Sequence, residues 1–287
     1  MFYKAVLFSC FLLISVVCRS EETSPTVLYS KESPYGLIDV IKIPGSGELC
    51  VCENKDYDHA HSTIIPGDPM DLSDAQYEKF ATAAFCFADN LKNVLLLGVG
   101  GGAFLDYVTH YLSDTHVDAV DINPVMFEII EKFRKIDMNR ARFICQDAFQ
   151  YIADATNYYD LIYCDIYFST PWMAKIYKGF FGRAKAHLNE GGVFVWNAYV
   201  PNIPQAVVED MFENFKSVTA AIKDDGLNIV FICYQGAPKT KEDLEKIAND
   251  MQAKYNFRYA LPDLLKETAL VSPEESRTWI AKFPVLS

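Results

Sequence analysis

Hydrophobic residues recur along this chain in two rhythms. Between residues 94 and 234, short continuous apolar runs alternate with stretches in which apolar positions return every three or four residues. The first rhythm suits strands buried on both faces, the second amphipathic helices. The pattern predicts strands over 94–98, 117–121, 142–145, 160–165, 191–197, 217–223 and 228–234, and helices over 102–112, 124–136, 147–153, 173–187 and 203–214. Such alternation implies an α/β fold with a doubly wound, mostly parallel seven-stranded sheet covered by helices. The last two strands are separated by Asp224-Asp225-Gly226, too short for a crossover helix, so they are expected to pair antiparallel.

Ahead of this region the rhythm is different. Residues 27–53 hold short β-type pieces punctuated by Ser33-Pro34-Tyr35-Gly36 and Pro44-Gly45-Ser46-Gly47, which predicts a small antiparallel β domain over 26–69. Its surface is too limited to fold alone, so it should pack on the larger domain, 73–236. Residues 54–69, with Asp56, Asp58, His59 and His61, read as a polar loop near a site mouth rather than as a metal site. A helix is expected over 73–89, with Ser73 as N-cap and Phe80, Ala83, Ala84 and Phe87 on one face. Residues 237–287 form a C-terminal helical tail, with one clear helix over 241–254. At the N-terminus, Lys4 precedes an apolar run over 5–17, and the small residues Cys18 and Ser20 follow, the layout of a signal peptide over 1–20. The expectation is a secreted protein, or one in the secretory lumen, with no membrane span after cleavage.

Composition narrows the partners. The 287 residues carry 38 acidic and 26 basic side chains, a formal charge of −12, with no cluster of Lys or Arg. That argues against nucleic acid and favours a cationic small molecule. Cys86, Cys145, Cys164 and Cys233 sit in apolar stretches and are expected to be buried thiols rather than a disulfide framework.

The chemistry concentrates at the ends of the predicted strands, where ligands lie in sheets of this kind. The first strand runs into Gly98, Gly100, Gly101 and Gly102, where backbone can come close to a ligand. About twenty residues on, the second strand ends on Asp121-Ile122; a carboxylate there can take both ribose hydroxyls, or simply favour the following helix. After the third strand, Asp147-Ala148 can accept an adenine amine and present a backbone N–H, or Asp147 can cap a helix. Asp165 ends the fourth strand, where a carboxylate could deprotonate a substrate or hold a cation; the alternative is a turn residue. Tyr167, Phe168, Pro171 and Trp172 supply an aromatic wall beside it. The closing antiparallel hairpin points away from dinucleotide dehydrogenases and towards S-adenosylmethionine-dependent transferases.

In that order and spacing, SPYGLIDVIK, VLLLGVGGG, AVDIN, QDAFQYI and YDLIYCDIYFSTP resemble the spermidine/spermine synthase family, from about residue 27 to 236. The resemblance implies a nucleoside site at Gly98, Gly100, Gly102, Asp121, Ile122, Asp147 and Ala148, with Asp165 as the catalytic aspartate. It implies a donor that is S-adenosylmethionine or its decarboxylated form, aminopropyl transfer to a polyamine without a metal, and commonly a homodimer. Three departures accompany it. Gly101 stands where the family's turn carries an aspartate touching the donor's amine end, and Phe168 stands where a second aspartate holds the diamine. The Gln-x-Thr-Glu-Arg-Asp-Glu run is missing between Asp56 and Tyr77, leaving Tyr77 and Glu78 with Tyr167 and Phe168 on the substrate side. The reading is a transferase homologue with an altered or lost acceptor site; the alternatives are a secreted non-catalytic binding protein and a divergent methyltransferase.

Overall fold

The computed structural model describes residues 25–57, 60–72, 76–166, 177–199, 203–222, 228–236 and 239–281. The leader-like segment, Ser73, Asp58, His59, Tyr167, Phe168, Pro171 and Trp172 lie outside them.

Four antiparallel strands come first: β1 (Thr26–Ser33), β2 (Gly36–Lys42), β3 (Leu49–Glu53) and β4 (Ala60–Ile64), paired in chain order. β4 corrects the polar-loop expectation for this stretch. Its sequence AHSTI is mostly polar because only Ile64 reaches the core, while its backbone completes the ladder of β3.

The main sheet uses β5 (Asn93–Leu97), β6 (His116–Asp121), β7 (Ala141–Cys145), β8 (Tyr159–Cys164), β9 (Leu188–Tyr199), β10 (Ser217–Ile222), β11 (Asn228–Tyr234) and β12 (Ala269–Leu270), in the order β12-β10-β11-β9-β8-β5-β6-β7. From β9 to β7 the pairs are parallel, whereas β11 joins β9 and β10 antiparallel, as the short hairpin loop requires. The predicted seven strands are all present. The eighth, β12, is two exposed residues pairing with β10, so periodicity could not mark it, and it ties the C-terminal tail into the sheet.

The helices are α1 (Gln76–Thr82), continued by a 3-10 turn (Ala83–Cys86), then α2 (Ala103–Tyr111), α3 (Pro124–Phe133), α4 (Ala148–Asp154), α5 (Phe180–Ala186), α6 (Gln205–Asn214), α7 (Lys241–Tyr255), α8 (Leu261–Lys266) and α9 (Pro273–Ala281). Alternate residues of β5 feed opposite faces: Val94 and Leu96 join Phe85, Phe104 and Tyr107, while Leu95 and Leu97 join Phe180, Phe194 and Trp196. The first face is closed by the tail, through Ala248, Phe257 and Leu261. The N-terminal sheet lacks a core of its own. Ile38, Val40, Leu49, Val51 and Ile64 bury themselves against Val125, Met126 and Ile129 of α3, each contributing about 1.5–3 kcal/mol. As the limited surface implied, the small sheet is held by the larger unit.

Cys52, Cys86, Cys164 and Cys233 are buried thiols. Cys145 is exposed, contrary to expectation, because β7 is the edge of the sheet. α3 also ends earlier than its periodicity suggested. Arg134 leaves the helix in extended conformation and turns inward, where its side chain is 2% exposed and pairs with Asp106 of α2 at 3.2 Å. It donates further to the carbonyls of Gly101, at 2.5 Å, and of Thr63 in β4, at 3.0 Å. Removing one partner of a buried pair leaves the other without compensation, so Arg134→Met is expected to cost about 3–5 kcal/mol, read from the urea midpoint. Lys241→Ala, whose pair with Glu245 at 3.8 Å stands in solvent, should leave that midpoint in place.

Candidate functional site

The carboxyl ends of β5, β6, β7 and β8 open into a cleft of about 980 Å³, closed on its other side by β3, β4 and α1. It carries Asp121, Asp147 and Asp165 from the main sheet, Glu78 from α1, and Glu53, Asp56 and Asp71 from the opposite wall, with no lysine or arginine among its described lining residues. Such a cleft favours a cationic guest. The stretch read as a polar loop near a mouth indeed supplies part of this wall, through Asp56 and His61.

The glycine turn is shaped by what lies behind it. Gly98 has a φ of +83°, and a Cβ there would stand 2.3 Å from the carbonyl oxygen of Asp165. Gly102 begins α2 at φ +78°, with Ile130 of α3 2.8 Å from any Cβ. These two glycines are there for packing and backbone conformation. Gly100, with open space before it, is where backbone can meet a ligand. At Gly101 a Cβ would lie 2.5 Å from Ser62 Oγ in β4. The glycine at residue 101 and the position of β4 are therefore one feature: with Ser62 in place, no side chain fits at residue 101.

Asp121 is already engaged. Its Oδ2 accepts from Val99 N at 3.0 Å and Gly100 N at 3.3 Å, and its Oδ1 from Asn123 N at 2.9 Å. The carboxylate thus holds the turn in shape, with its remaining lone pairs free to take hydroxyls. Helix α3 is capped by Asn123, whose Oδ1 accepts from Val125 N at 3.1 Å. Asp147 does cap α4, accepting from Gln150 N at 2.8 Å, and also lines the cleft beside Ala148. Ile122 is 42% exposed on the same rim, an apolar face for a flat ring.

Asp165 lies at the cleft floor. Asn197 Nδ2 donates to its Oδ1 at 2.7 Å and the Tyr163 hydroxyl to its Oδ2 at 3.3 Å. Burial pushes its pKa up to about 6, against the lowering effect of those two bonds. A carboxylate tuned there is ionised at neutral pH yet basic enough to take a proton. Tyr77 and Glu78 both face it across the cleft. Asp165, then burial and Glu78, push the Tyr77 hydroxyl well above its ordinary value, so it remains a neutral donor. Burial, then Asp165, push Glu78 up to about 8.

Asn197 and Asn228 were not singled out from the sequence. Asn228 Nδ2 donates to Asn197 Oδ1 at 3.0 Å, which turns the Asn197 amide so that its NH₂ meets Asp165. The signal was an asparagine inside the apolar run FVWNAY. A buried amide in such a strand needs a partner.

The raised carboxyls make stability depend on pH. The unfolded chain loses the Glu78 proton near 4.5, whereas the folded protein keeps it until about 8. Over that interval the folded state holds the extra proton, so stability falls as pH rises. Asp165 acts in the same sense between 3.8 and about 6. The melting temperature should be several degrees lower at about pH 8 than at about pH 5.5. Glu78→Gln should raise it at the higher pH and flatten the profile; a profile unchanged by this substitution refutes the assignment.

Comparisons with known proteins agree with this geometry. A family model described as spermine/spermidine synthase domain matches residues 74–230. A polyamine aminopropyltransferase of Clostridium botulinum is 30% identical over 183 residues, which span 58% of this chain and 58% of that relative. The spermidine synthase structure from Thermotoga maritima superposes with a TM-score of 0.65 over 89% of this chain and 87% of its own, at 17% identity. A spermidine synthase in complex with the transition-state analogue AdoDATO also gives 0.65, over 90% of this chain and 88% of its own, at 17% identity. At such identities the two structures establish the fold, while the family model spans more than half of the sequence: the chain belongs to the spermine/spermidine synthase family.

Proposed function

We propose that this protein is a transferase homologue that binds an S-adenosyl nucleoside in the cleft, with an acceptor side that departs from that of ordinary polyamine synthesis. The observation that carries this is the division of the cleft. On the nucleoside side, Gly100 offers open backbone, Asp121 stands at a strand tip for a ribose, and Ile122, Asp147 and Ala148 form a rim for a base. These groups fit the donor, and the spermidine synthase crystallised with AdoDATO supports the same class of ligand. When bound, a sulfonium donor supplies an electrophilic carbon. The chain's own part is to orient it and to take a proton at Asp165 from an acceptor amine or hydroxyl.

The acceptor side is what sets this chain apart. Residue 101 has no room for an acid, and the polyamine-shaping run after Asp56 is replaced by β4 and the segment leading to α1. Loss of a carboxylate that pairs an ammonium weakens binding strongly. A second reading, a secreted binding protein that keeps the fold without turnover, is motivated by the signal-like residues 1–20; we extend the proposal to export through the secretory pathway.

Calorimetry of the purified protein with S-adenosylmethionine, its decarboxylated form and methylthioadenosine should detect at least one complex; silence from all three sinks the nucleoside reading. If the protein turns over, Asp165→Asn should lower kcat by about 10²–10⁴ while the chain still folds, as read by circular dichroism. A gain of one methyl rather than one aminopropyl group in product mass would favour the methyltransferase alternative. Absence of turnover with any acceptor, despite nucleoside binding, would favour the binding protein.

A further inference from the structure

The acids at the floor of the cleft stand just after parallel strands, but β11 runs the other way. Its first residue rather than its last therefore reaches the carboxyl edge, and that residue is Asn228. In the ladder Asn228 stands opposite Tyr199 and Val230 opposite Asn197, so the two asparagines are diagonal neighbours on one face of the β9–β11 pair. Their amides point in one direction. Asn228 Nδ2 donates to Asn197 Oδ1 at 3.0 Å, and Asn197 Nδ2 donates to Asp165 Oδ1 at 2.7 Å. Asn197 is 8% exposed, so its amide depends on these two partners.

A single asparagine beside a carboxyl group can follow its protonation. It offers NH₂ to the carboxylate and, by turning its amide over, offers its carbonyl to the O–H of the acid. Asn197 has lost that freedom. With its carbonyl occupied by Asn228, only its donors are left for Asp165. The ionised form is supported, whereas the protonated form meets an N–H where it needs an acceptor, a mismatch that is costly in a buried place. Only a joint rotation of both amides would undo it. The other groups around Asp165 impose no such direction. Tyr163, within β8, has a hydroxyl that can donate or accept. Cys164 from β8, Tyr77 and Glu78 from α1, and Tyr177 ahead of α5 also face it, all of them protonated up to about pH 8 or beyond. Arg134, behind Glu78, is engaged by Asp106 and by the carbonyls of Gly101 and Thr63.

We propose that Asn228 is a positioning residue: it locks the Asn197 amide with its NH₂ towards Asp165, so that Asp165 can take a proton in passing but has no asparagine carbonyl to help it keep that proton. The role of the lock rests on the transfer proposed above, in which Asp165 receives a proton from an acceptor amine or hydroxyl. That proton moves from the acceptor nitrogen or oxygen to an Asp165 oxygen and then on to water. A base that must be regenerated at each cycle gains from a neighbour that favours its ionised form alone. The lock also makes the reversal of β11 part of the site, because a parallel β11 would bring Tyr234 to this edge in place of Asn228.

The test reads Asp165 directly, by carbon-13 NMR of the full chain labelled at the aspartate carboxyl carbon, with its signal assigned by its loss in Asp165→Asn. In the wild type it should titrate at about 6. Asn228→Leu is of similar size but has no donor, which frees Asn197 to turn its carbonyl to the protonated acid. The Asp165 midpoint should then rise by about one pH unit, a tenfold gain in proton affinity. Asn197→Leu, which removes the NH₂ itself, should also raise it. An unmoved or lowered midpoint in either variant overturns the proposal, since an Asn228 that only holds two strands together would lower the melting temperature and leave Asp165 where it was. If Asn228→Leu does not fold, Asn228→Ala is read in the same way, because a water in the vacated space can give or take a hydrogen bond. The titration needs neither a bound nucleoside nor turnover. Silence of the wild type towards every nucleoside therefore sinks the transfer reading, while the lock stands or falls by the Asp165 midpoint.

Discussion

Arg134 carries a guanidinium to a place that is almost closed to water, and three elements are arranged to receive it. Asp106 of α2 supplies the countercharge, Gly101 the carbonyl of the glycine turn, and Thr63 a carbonyl of β4. A buried cation tolerates few alternative arrangements, because each lost partner leaves charge without compensation. One side chain therefore fixes the small N-terminal sheet against the glycine turn. The wall and floor of the cleft take their relative positions from it, and α3 gives up its last turn to place it.

The same packing explains the glycine at residue 101. Because β4 lies so close, Ser62 occupies the volume that a side chain at residue 101 would need. The wall that excludes one acid brings others: Glu53, Asp56 and Asp71 from its own side, and Glu78 from α1. The cleft thus offers carboxylates on its floor and far wall, and backbone and apolar surface along the glycine turn and Ile122, two environments about as different as one cavity can offer.

Much of this was legible in the chain. Continuous apolar runs alternating with amphipathic ones give a doubly wound sheet on period alone, since a strand covered on both faces has no polar side to show. A connection too short for a crossover helix suffices to reverse β11 against β10. Gly98, Gly100, Asp121, Asp147 and Asp165, which line the cleft, stand just after strands, at the carboxyl edge where ligands in such sheets lie. What resisted were elements whose residues are polar or few. β4 is paired through its backbone and carries one core residue, and β12 has two exposed residues.

The sequence by itself determined the fold class, the strand order reversal at the end and the acids at strand tips, because these follow from local periodicity and from loop length. Tertiary structure alone decided what each acid does. Asp147 caps its helix while facing the cleft, and Asp121 holds the turn through Val99 and Gly100. Asp165 is set near neutrality by burial, with Asn197 and Asn228 orienting its bonds. Glu78, a commonplace residue in a short helix, becomes a desolvated carboxyl facing another one. Protonation and pairing depend on which groups from distant parts of the chain share a low-dielectric space, and no local pattern carries that information.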